Sequence, residues 1–182
     1  LGAQSPEAVL DRITALEAEL LLWMQSRMDA YGYSAAFLLD REGNAALSLN
    51  PRGDPLGEYA RAFALDCMAK GEPAISDLHR GEGDGDIHLD LAAPVALGPG
   101  QAPVGALVLR VDPRDFLFPF IQSWPTPSET AETLLVQREG EEVLFLNELR
   151  HRSGTALELR LPLGEEELPA ARAARGEEGI VA

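Results

Sequence analysis

The chain has 182 residues, of which 46% are hydrophobic, and it carries 30 acidic against 15 basic side chains, a formal net charge of −15. This apolar fraction favours a globular protein over a disordered one, with either one large domain or two small ones. The negative charge argues against a nucleic-acid-binding protein, because phosphates would be repelled, and it disfavours attachment to anionic lipid.

The single cysteine, Cys67, excludes an intramolecular disulfide, and we expect it in the core. The sequence shows neither a signal peptide nor a membrane span. Because the chain begins at Leu1 rather than at Met, we expect any flanking spans to lie outside this segment.

The first predicted element is a long helix that begins with Ser5 as its N-cap and Pro6 in its first turn. Apolar residues then recur at helical spacing and predict a stripe that faces the core: Val9, Ile13, Leu16, Leu20 and Trp23. The pattern continues to about residue 30. We expect the C-terminal half to pack on the first sheet and the N-terminal half to extend towards a second module or a partner subunit.

A hairpin follows at residues 35–50, with Gly43 in its turn. A similar sequence occurs 97 residues later: residues 37–50 and residues 134–147 are identical at seven of fourteen positions. A second, weaker similarity relates residues 70–76 to residues 175–181. Two repeated segments in the same order predict two copies of one small module, and the hairpins of both copies should have the same turn geometry.

The next predicted helix has Asp54 as its N-cap and Pro55 at its first position, runs to about Ala69 and ends at Gly71. Beyond it we predict a short strand at 73–76 and a mobile, glycine-containing loop at 77–86. Strands are predicted at 87–95 and 104–111. A short helix should begin at residues 112–113 and be cut off by Pro119.

The proline-containing segment 124–130 is predicted to be a stiff linker. The second copy then has its hairpin at 131–148, a strand at 155–161 and a short helix at 169–175, after which it is truncated. The predicted organisation is therefore a long helix at 1–33, a first module at 34–123, the linker, and a partial second module at 131–182. The fold class is α+β with antiparallel sheets.

This order of elements is PAS-like, and in tandem behind a long helix it resembles the double Cache sensors, the extracytoplasmic ligand-binding regions of bacterial membrane receptors. The segments that carry the resemblance are Phe37-Leu-Leu-Asp-Arg-Glu-Gly43, Ile87-x-Leu-x-Leu-x-x-Pro-Val95, Val104-Gly-Ala-Leu-Val-Leu109 and Glu132-Thr-Leu-Leu-Val-Gln-Arg-Glu-Gly140. The amino-acid-binding branch of that family has a Trp-Tyr pair in the helix that here holds Tyr59 and Arg61. Since the pair is missing, the resemblance does not imply an amino-acid ligand.

In a PAS-like fold the second helix and the neighbouring strands wall one cavity, and this implies a set of ligand-binding residues. The predicted set is Tyr59, Arg61, Phe63, Asp77, His79, His88 and Asp90. A polar, partly aromatic cavity of this kind suits a small organic molecule. The alternative for two members is structural, with Phe63 in the core and Arg61 on the surface.

Alternation along the strand at 87–95 places Asp86, His88 and Asp90 on one face. We interpret this face as solvated, with a divalent-metal site that includes His79 as the second interpretation. We expect the three side chains to point away from the long-helix side of the sheet.

The first functional hypothesis is a non-enzymatic sensor: the periplasmic, ligand-binding part of an inner-membrane histidine kinase or diguanylate cyclase, with a homodimer through the N-terminal helix. The second is a metal-binding or hydrolytic enzyme that uses Asp86, His88 and Asp90. The third is a cytosolic PAS- or GAF-type dimerisation module. The sequence identifies no cofactor and does not name the ligand.

Overall fold

The structure, a computed structural model, describes residues 5–53, 55–83, 85–123 and 131–179. The chain divides into two compact units, Leu1–Pro113 (unit 1) and Arg114–Ala182 (unit 2). Within the described ranges the strands form one six-stranded and one three-stranded sheet, and all their pairings are antiparallel. The predicted α+β class, with a long N-terminal helix and antiparallel sheets, is confirmed.

The described residues of unit 1 form two helices and six strands. Their bounds are α1 Pro6–Tyr31, β1 Ala35–Leu39, β2 Ala45–Leu49, α2 Glu58–Lys70, β3 Ala74–Ile75, β4 His79–Arg80, β5 Ile87–Val95 and β6 Gly105–Val111. The strand order is β2-β1-β6-β5-β3, and β4 pairs with β5. Two apolar clusters cover opposite faces of this sheet, one with residues of α1 and the other with residues of α2.

Helix α1 begins and ends as its sequence predicts. The hydroxyl of Ser5 accepts a hydrogen bond from the amide of Ala8 at 3.3 Å, and Pro6 occupies the first turn. At the other end Gly32 adopts φ 72°, the left-handed conformation that closes many helices. None of the helices in the described ranges has both the length and the apolar character that crossing a membrane requires.

The prediction that the C-terminal half of α1 packs on the first sheet is confirmed, but the predicted core-facing stripe is wrong for four of its five residues. Met24 and Met28 are buried against Ala36 of β1, and Leu20 packs beside them. The other four residues of the stripe are exposed by 42–55%: Val9, Ile13, Leu16 and Trp23. Only the part of the helix that lies over the sheet can bury its side chains, and spacing alone does not say where the sheet ends.

Strand β6 lies at the centre of the sheet and approaches β1 closely at one point. A Cβ added to Gly105 would lie 2.1 Å from the carbonyl oxygen of Leu39, so only glycine fits there. On the α2 side, Phe37 of β1 and Val108 of β6 pack with Cys67 of α2. The prediction that Cys67 is a core residue is therefore confirmed.

Helix α2 starts later than its sequence predicts. Gly57 is the N-cap residue and Pro55 precedes the helix, while the predicted N-cap, Asp54, lies outside the described residues. The end is as predicted, with Gly71 at φ 73°. The segment predicted as a mobile loop contains β4, which pairs with β5 through His79 and Arg80.

Unit 2 contains helices α3 Leu117–Gln122 and α4 Pro169–Ala174, with strands β7 Val136–Glu139, β8 Glu142–Phe145 and β9 Arg160–Pro162 in the order β7-β8-β9. The predicted helix at 112–119 is shifted, since Pro119 lies in the first turn of α3 rather than after its end. Proline is tolerated there because a first-turn amide has no acceptor within the helix. The predicted linker, 124–130, lies outside the described residues.

The two predicted hairpins exist, but their turns differ. Five residues, 40–44, join β1 to β2, and the carboxylate of Asp40 accepts hydrogen bonds from the amides of Glu42 and Asn44. In unit 2, Glu139 pairs directly with Glu142, which leaves a two-residue turn. The prediction of one shared turn geometry is wrong. The hairpins therefore do not support two copies of one module.

The predicted strand at 155–161 forms only at its end. Residues 156–158 are in a turn, Leu157 has φ 58°, and β9 begins at Arg160. The amide and hydroxyl of Thr155 bond to the carboxylate of Glu148, at 2.9 and 3.1 Å. This local hydrogen bonding competes with strand pairing, which explains why the alternating leucines did not form a longer strand.

Candidate functional site

Four of the seven predicted site residues converge on the α2 side of the unit 1 sheet: Tyr59, His79, His88 and Asp90. The ring centroids of Tyr59 and His79 are 4.2 Å apart, and those of His79 and His88 are 6.1 Å apart. Asp90 lies on the same face of β5 as Ala92, which packs against α2. The prediction that His88 and Asp90 point away from the long helix is confirmed.

The predicted solvated face is wrong, because the side chains of His88 and Asp90 are almost fully buried. Asp90 has no exposed surface, and His88 is 2% exposed. The cause is Arg110, which stands directly opposite Asp90 on β6. Its Nε and Nη2 donate to the two carboxylate oxygens of Asp90 at 3.0 and 3.3 Å. A buried carboxylate requires such pairing, and the bidentate geometry supplies it.

His79 completes a buried network with this pair. Its Nε2 lies 3.3 Å from Oδ2 of Asp90, and its Nδ1 lies 3.1 Å from the main-chain oxygen of Asp77. Both ring nitrogens therefore face oxygen acceptors. The network, defined here as Asp90, Arg110 and His79, joins strands β4, β5 and β6.

The network lowers the pKa of Asp90. Burial, the largest single effect, would raise the pKa of this carboxyl, but the hydrogen bonds from His79 and Arg110 and the charges of those two groups outweigh it. The carboxyl pKa therefore falls below its usual value of 3.8, and Asp90 is ionised at neutral pH. The site holds a permanent buried negative charge that its two partners compensate.

Tyr59 and Asp77 lie at the edge of this network. Burial raises the pKa of the Tyr59 hydroxyl, and the negative charge of Asp77 raises it further. Asp77 itself is exposed and contributes its main-chain oxygen to His79. Ser76 fixes the strand geometry here: its hydroxyl accepts from the amide of Asp90 at 2.9 Å and donates to the oxygen of Asp77 at 2.9 Å.

Arg61 and Phe63 do not join the network. Phe63 packs against the apolar cluster under α2. This agrees with the alternative interpretation in which Phe63 is a core residue. Arg61 donates from Nε to the oxygen of Gly43 and from Nη2 to the oxygen of Glu42, at 3.2 and 2.6 Å. It therefore ties α2 to the β1–β2 turn.

A cavity of about 620 Å³ lies beside the network on the α2 side of the sheet. Its polar wall consists of Asn44, Ser48, Asn50 and Arg61, and Phe37 forms part of its apolar wall. The ring of Phe37 also lies 5.5 Å from the guanidinium carbon of Arg110. Phe37 therefore contacts both the cavity and the Arg110 guanidinium of the buried network.

The described lining of this cavity contains no carboxylate. Amide, hydroxyl and guanidinium groups can hydrogen-bond a neutral or anionic polar molecule, whereas an amine would lack a counter-charge. A larger cavity of about 690 Å³ lies in unit 2. Its arginines pair with its own glutamates, as in Arg172 with Glu177 at 2.8 Å, so it offers a ligand less unpaired charge.

The geometry opposes a metal site at Asp86, His88 and Asp90. Both oxygens of Asp90 already accept from Arg110, and Asp86 forms an ion pair with Arg52 at 3.1 Å. Among the described residues no group of three or more His, Cys, Asp or Glu side chains is placed to hold a metal ion. The hydrolytic interpretation therefore loses its proposed centre.

Arg110 and Ser76 were not among the site residues predicted from the sequence. A single charged residue within the apolar strand 104–111 was the available signal for Arg110, because an arginine in a buried strand requires a partner. Ser76 carried no comparable signal, since a serine at a strand end is common.

No protein-family model matches the sequence, and no curated protein matches it. Among the solved structures that resemble the chain are two ligand-binding domains of chemoreceptors. The ligand-binding domain of the Pseudomonas fluorescens chemoreceptor CtaA, solved with L-leucine, superposes with a TM-score of 0.47 and 11% identity over 69% of this chain and 50% of that one. The ligand-binding domain of the Pseudomonas aeruginosa PAO1 amino-acid chemoreceptor PctC, solved with GABA, gives a TM-score of 0.34 and 20% identity over 47% of this chain and 41% of that one. The chain thus spans half or less of each of these domains, and at such scores their ligands are not carried over to it.

Proposed function

We propose that this chain is a ligand-sensing region that binds a small polar molecule in the unit 1 cavity. The observation that carries the proposal is the cavity itself, about 620 Å³ in volume, walled by Asn44, Ser48, Asn50 and Arg61. Its volume lies within the range of about 300–1,000 Å³ that is typical of small-molecule sites. A few polar groups beside an apolar wall give such a site both affinity and orientation.

The ligand class follows from the charges. The cavity offers amide, hydroxyl and guanidinium donors, and Arg61 is the charged group in its described lining. We therefore favour a neutral or anionic ligand over an amine. The predicted binding roles of Tyr59, Asp77, His79, His88 and Asp90 become, in this proposal, roles in building the wall behind the cavity.

The signalling role rests on the position of α1. Its Met24 and Met28 are buried on the opposite face of the sheet that forms the cavity, so ligand-induced movement of β1 or β2 would reach the helix. The exposed apolar side chains in its first half, among them Val9, Ile13 and Leu16, suit contact with a second copy of this chain.

In the full protein, this region would be the periplasmic part of an inner-membrane receptor whose output is a histidine kinase or a diguanylate cyclase. The double Cache resemblance in the sequence supports that context. The cytosolic PAS- or GAF-type dimerisation module remains the second candidate, because the exposed face of α1 serves it equally.

Ligand binding can be tested by thermal unfolding against a panel of organic acids, amino acids, sugars and amines. A ligand at about 100 times its Kd stabilises the folded form by about 2.7 kcal/mol, which raises Tm measurably. Hits should come from the anionic and neutral compounds. Ser48→Leu should abolish the shift because it fills the cavity, whereas Ala69→Leu, on the exposed side of α2, should preserve it.

Two results would contradict the proposal. One is a shift that persists in Ser48→Leu, which would place the ligand elsewhere. The other is a panel in which the amines alone bind, which would require a carboxylate that the described cavity wall lacks.

A further inference from the structure

We propose that His79 is a pH-controlled latch that holds the segment 77–83, here called the strap, against the sheet of unit 1. A doubly protonated ring donates on both sides, from Nε2 to Oδ2 of Asp90 and from Nδ1 to the oxygen of Asp77, over 3.3 and 3.1 Å. A neutral ring has one N–H and no charge, so it satisfies only one of these oxygens and no longer attracts the Asp90 carboxylate as a cation; the contact with Asp90 is the one that reaches the sheet, since Asp77 belongs to the strap. The latch is therefore closed while the ring is charged and weakens as pH rises.

The charged groups around the ring come from every element packed against it. From β5, Asp90 accepts from the ring, and His88 lies with its ring centroid 6.1 Å away. From β6, Arg110 shares the carboxylate of Asp90 and opposes a second positive charge there. From α2, the ring of Tyr59 covers one face of the imidazole at 4.2 Å, and the charge of Asp77 lies near that phenol.

His79 is suited to act as a latch because it is the strap residue that joins this buried network. Its side chain is only 11% exposed, and β4, on which it lies, is a two-residue strand paired with β5. The strap is also held by the backbone pairing of β4 with β5 and by Glu82, which accepts from the amide of Tyr59 at 3.4 Å in an exposed position. Neither of these contacts contains a group that changes charge between pH 5.5 and pH 8, so the pH dependence falls on His79.

The strap touches the region that borders the cavity. A Cβ built on Gly83 would lie 3.4 Å from the ring of Pro55, and Pro55 lines the cavity. The carboxylate of Glu82 accepts from the first turn of α2, which has no side-chain cap of its own. Opening the strap would therefore loosen both Pro55 and the start of α2, and the device operates whether or not the cavity holds a ligand.

The test is hydrogen exchange of the strap amides at pH 5.5 and pH 8, corrected for the intrinsic rate, in the full chain. Protection should fall by at least about tenfold at the higher pH, as expected for losing a hydrogen bond between charged groups. The chain has three histidines, which allows a clean assignment. His79→Gln should remove the pH dependence, and His151→Gln, an exposed residue of unit 2, should leave it unchanged.

The ring nitrogens can also be observed directly by nitrogen-15 NMR of the histidine-labelled protein, which decides the question even if His79→Gln does not fold. At pH 5.5 both nitrogens of His79 should be protonated. A neutral His79 at that pH with a protected strap would overturn the proposal. So would equal strap protection at the two pH values, or a pH response that survives in His79→Gln.

Discussion

At the scale of single residues, Asp90 and Arg110 explain why a charged strand face lies inside the protein. Each would be costly to bury alone, and each satisfies the other through two hydrogen bonds. His79 adds a third contact, and the ring of Phe37 covers the guanidinium. The site is therefore a closed arrangement in which every charge depends on a partner from another strand.

Breaking this pair should destabilise unit 1 strongly. Arg110→Met leaves the Asp90 carboxylate buried without its main partner, at a cost of about 3–5 kcal/mol. The double change Asp90→Leu with Arg110→Met should recover most of that loss, since no charge stays buried. Urea unfolding of the wild type, the Arg110→Met variant and the double variant gives the three free energies of unfolding to compare. The matched control is Arg138→Met, whose ion pair with Glu141 is exposed and should change stability by less than about 1 kcal/mol.

The lowered pKa of Asp90 also predicts a pH dependence. Because the folded-state pKa lies below the usual value of 3.8, the ionised form is favoured by folding, and its contribution to stability is present above that pH. The contribution is lost as pH falls through the lower, folded-state pKa. The stability cost of Asp90→Asn, measured in the His79→Gln background so that the latch does not contribute, should thus be constant from about pH 7 to pH 5 and shrink below about pH 4. A difference that grows on acidification would contradict the assignment.

At the scale of elements, α1 divides into a half that packs and a half that does not. Met24 and Met28 are buried one turn apart, whereas Leu16 is 55% exposed although it belongs to the same apolar pattern. The α1 side chains that pack on the sheet, Leu20, Met24 and Met28, all lie in the C-terminal half of this helix. The first half is free for a function other than building the core.

Truncating one side chain in each half of α1 should change the free energy of unfolding by different amounts. Met24→Ala should cost about 2–5 kcal/mol in the free energy of unfolding, as is usual for large-to-small changes in a core. Leu16→Ala, in the same helix, should cost less than about 0.5 kcal/mol when unfolding is measured at a concentration at which the chain is monomeric. Denaturant unfolding of both variants gives the comparison. Equal losses would mean that the N-terminal half is buried in solution.

At the scale of the whole molecule, the exposed apolar residues of α1 are the best candidate for self-association. Val9, Leu10, Ile13 and Leu16 lie within two turns and are 42–63% exposed. The net charge of −15 opposes non-specific aggregation of the chain. An exposed apolar face on such a chain is therefore more consistent with one specific contact.

The expected state is a homodimer through this face. Sedimentation equilibrium should show a concentration-dependent mass, and Ile13→Glu with Leu16→Glu should give a monomer with an unchanged circular dichroism spectrum. Met28→Leu, a volume-conserving change in the buried half, should leave the dimer intact. A wild-type chain that remains monomeric at high concentration would exclude this role for α1.

The sequence by itself determined the features that depend on neighbours along the chain. Ser5 and Pro6 specify where α1 starts, Gly32 and Gly71 specify where α1 and α2 end, and alternation in 87–95 specifies β5. These outcomes follow from capping, backbone freedom and side-chain period, which act over a few residues. For the same reason it grouped His88 and Asp90 on one strand face correctly.

Only the tertiary structure decided which faces are buried. The sequence predicted that His88 and Asp90 are solvated, because Arg110, 20 residues away on β6, was not recognised as their neighbour. It grouped Val9, Ile13 and Leu16 with Leu20 in one core-facing stripe, because spacing shows a common face but not where along the helix a sheet lies beneath it. It did not show that two donors of Arg61, a residue of the cavity wall, bond to the β1–β2 turn. Burial and pairing depend on contacts between distant segments, and the free energy of those contacts is set by the folded arrangement rather than by local pattern.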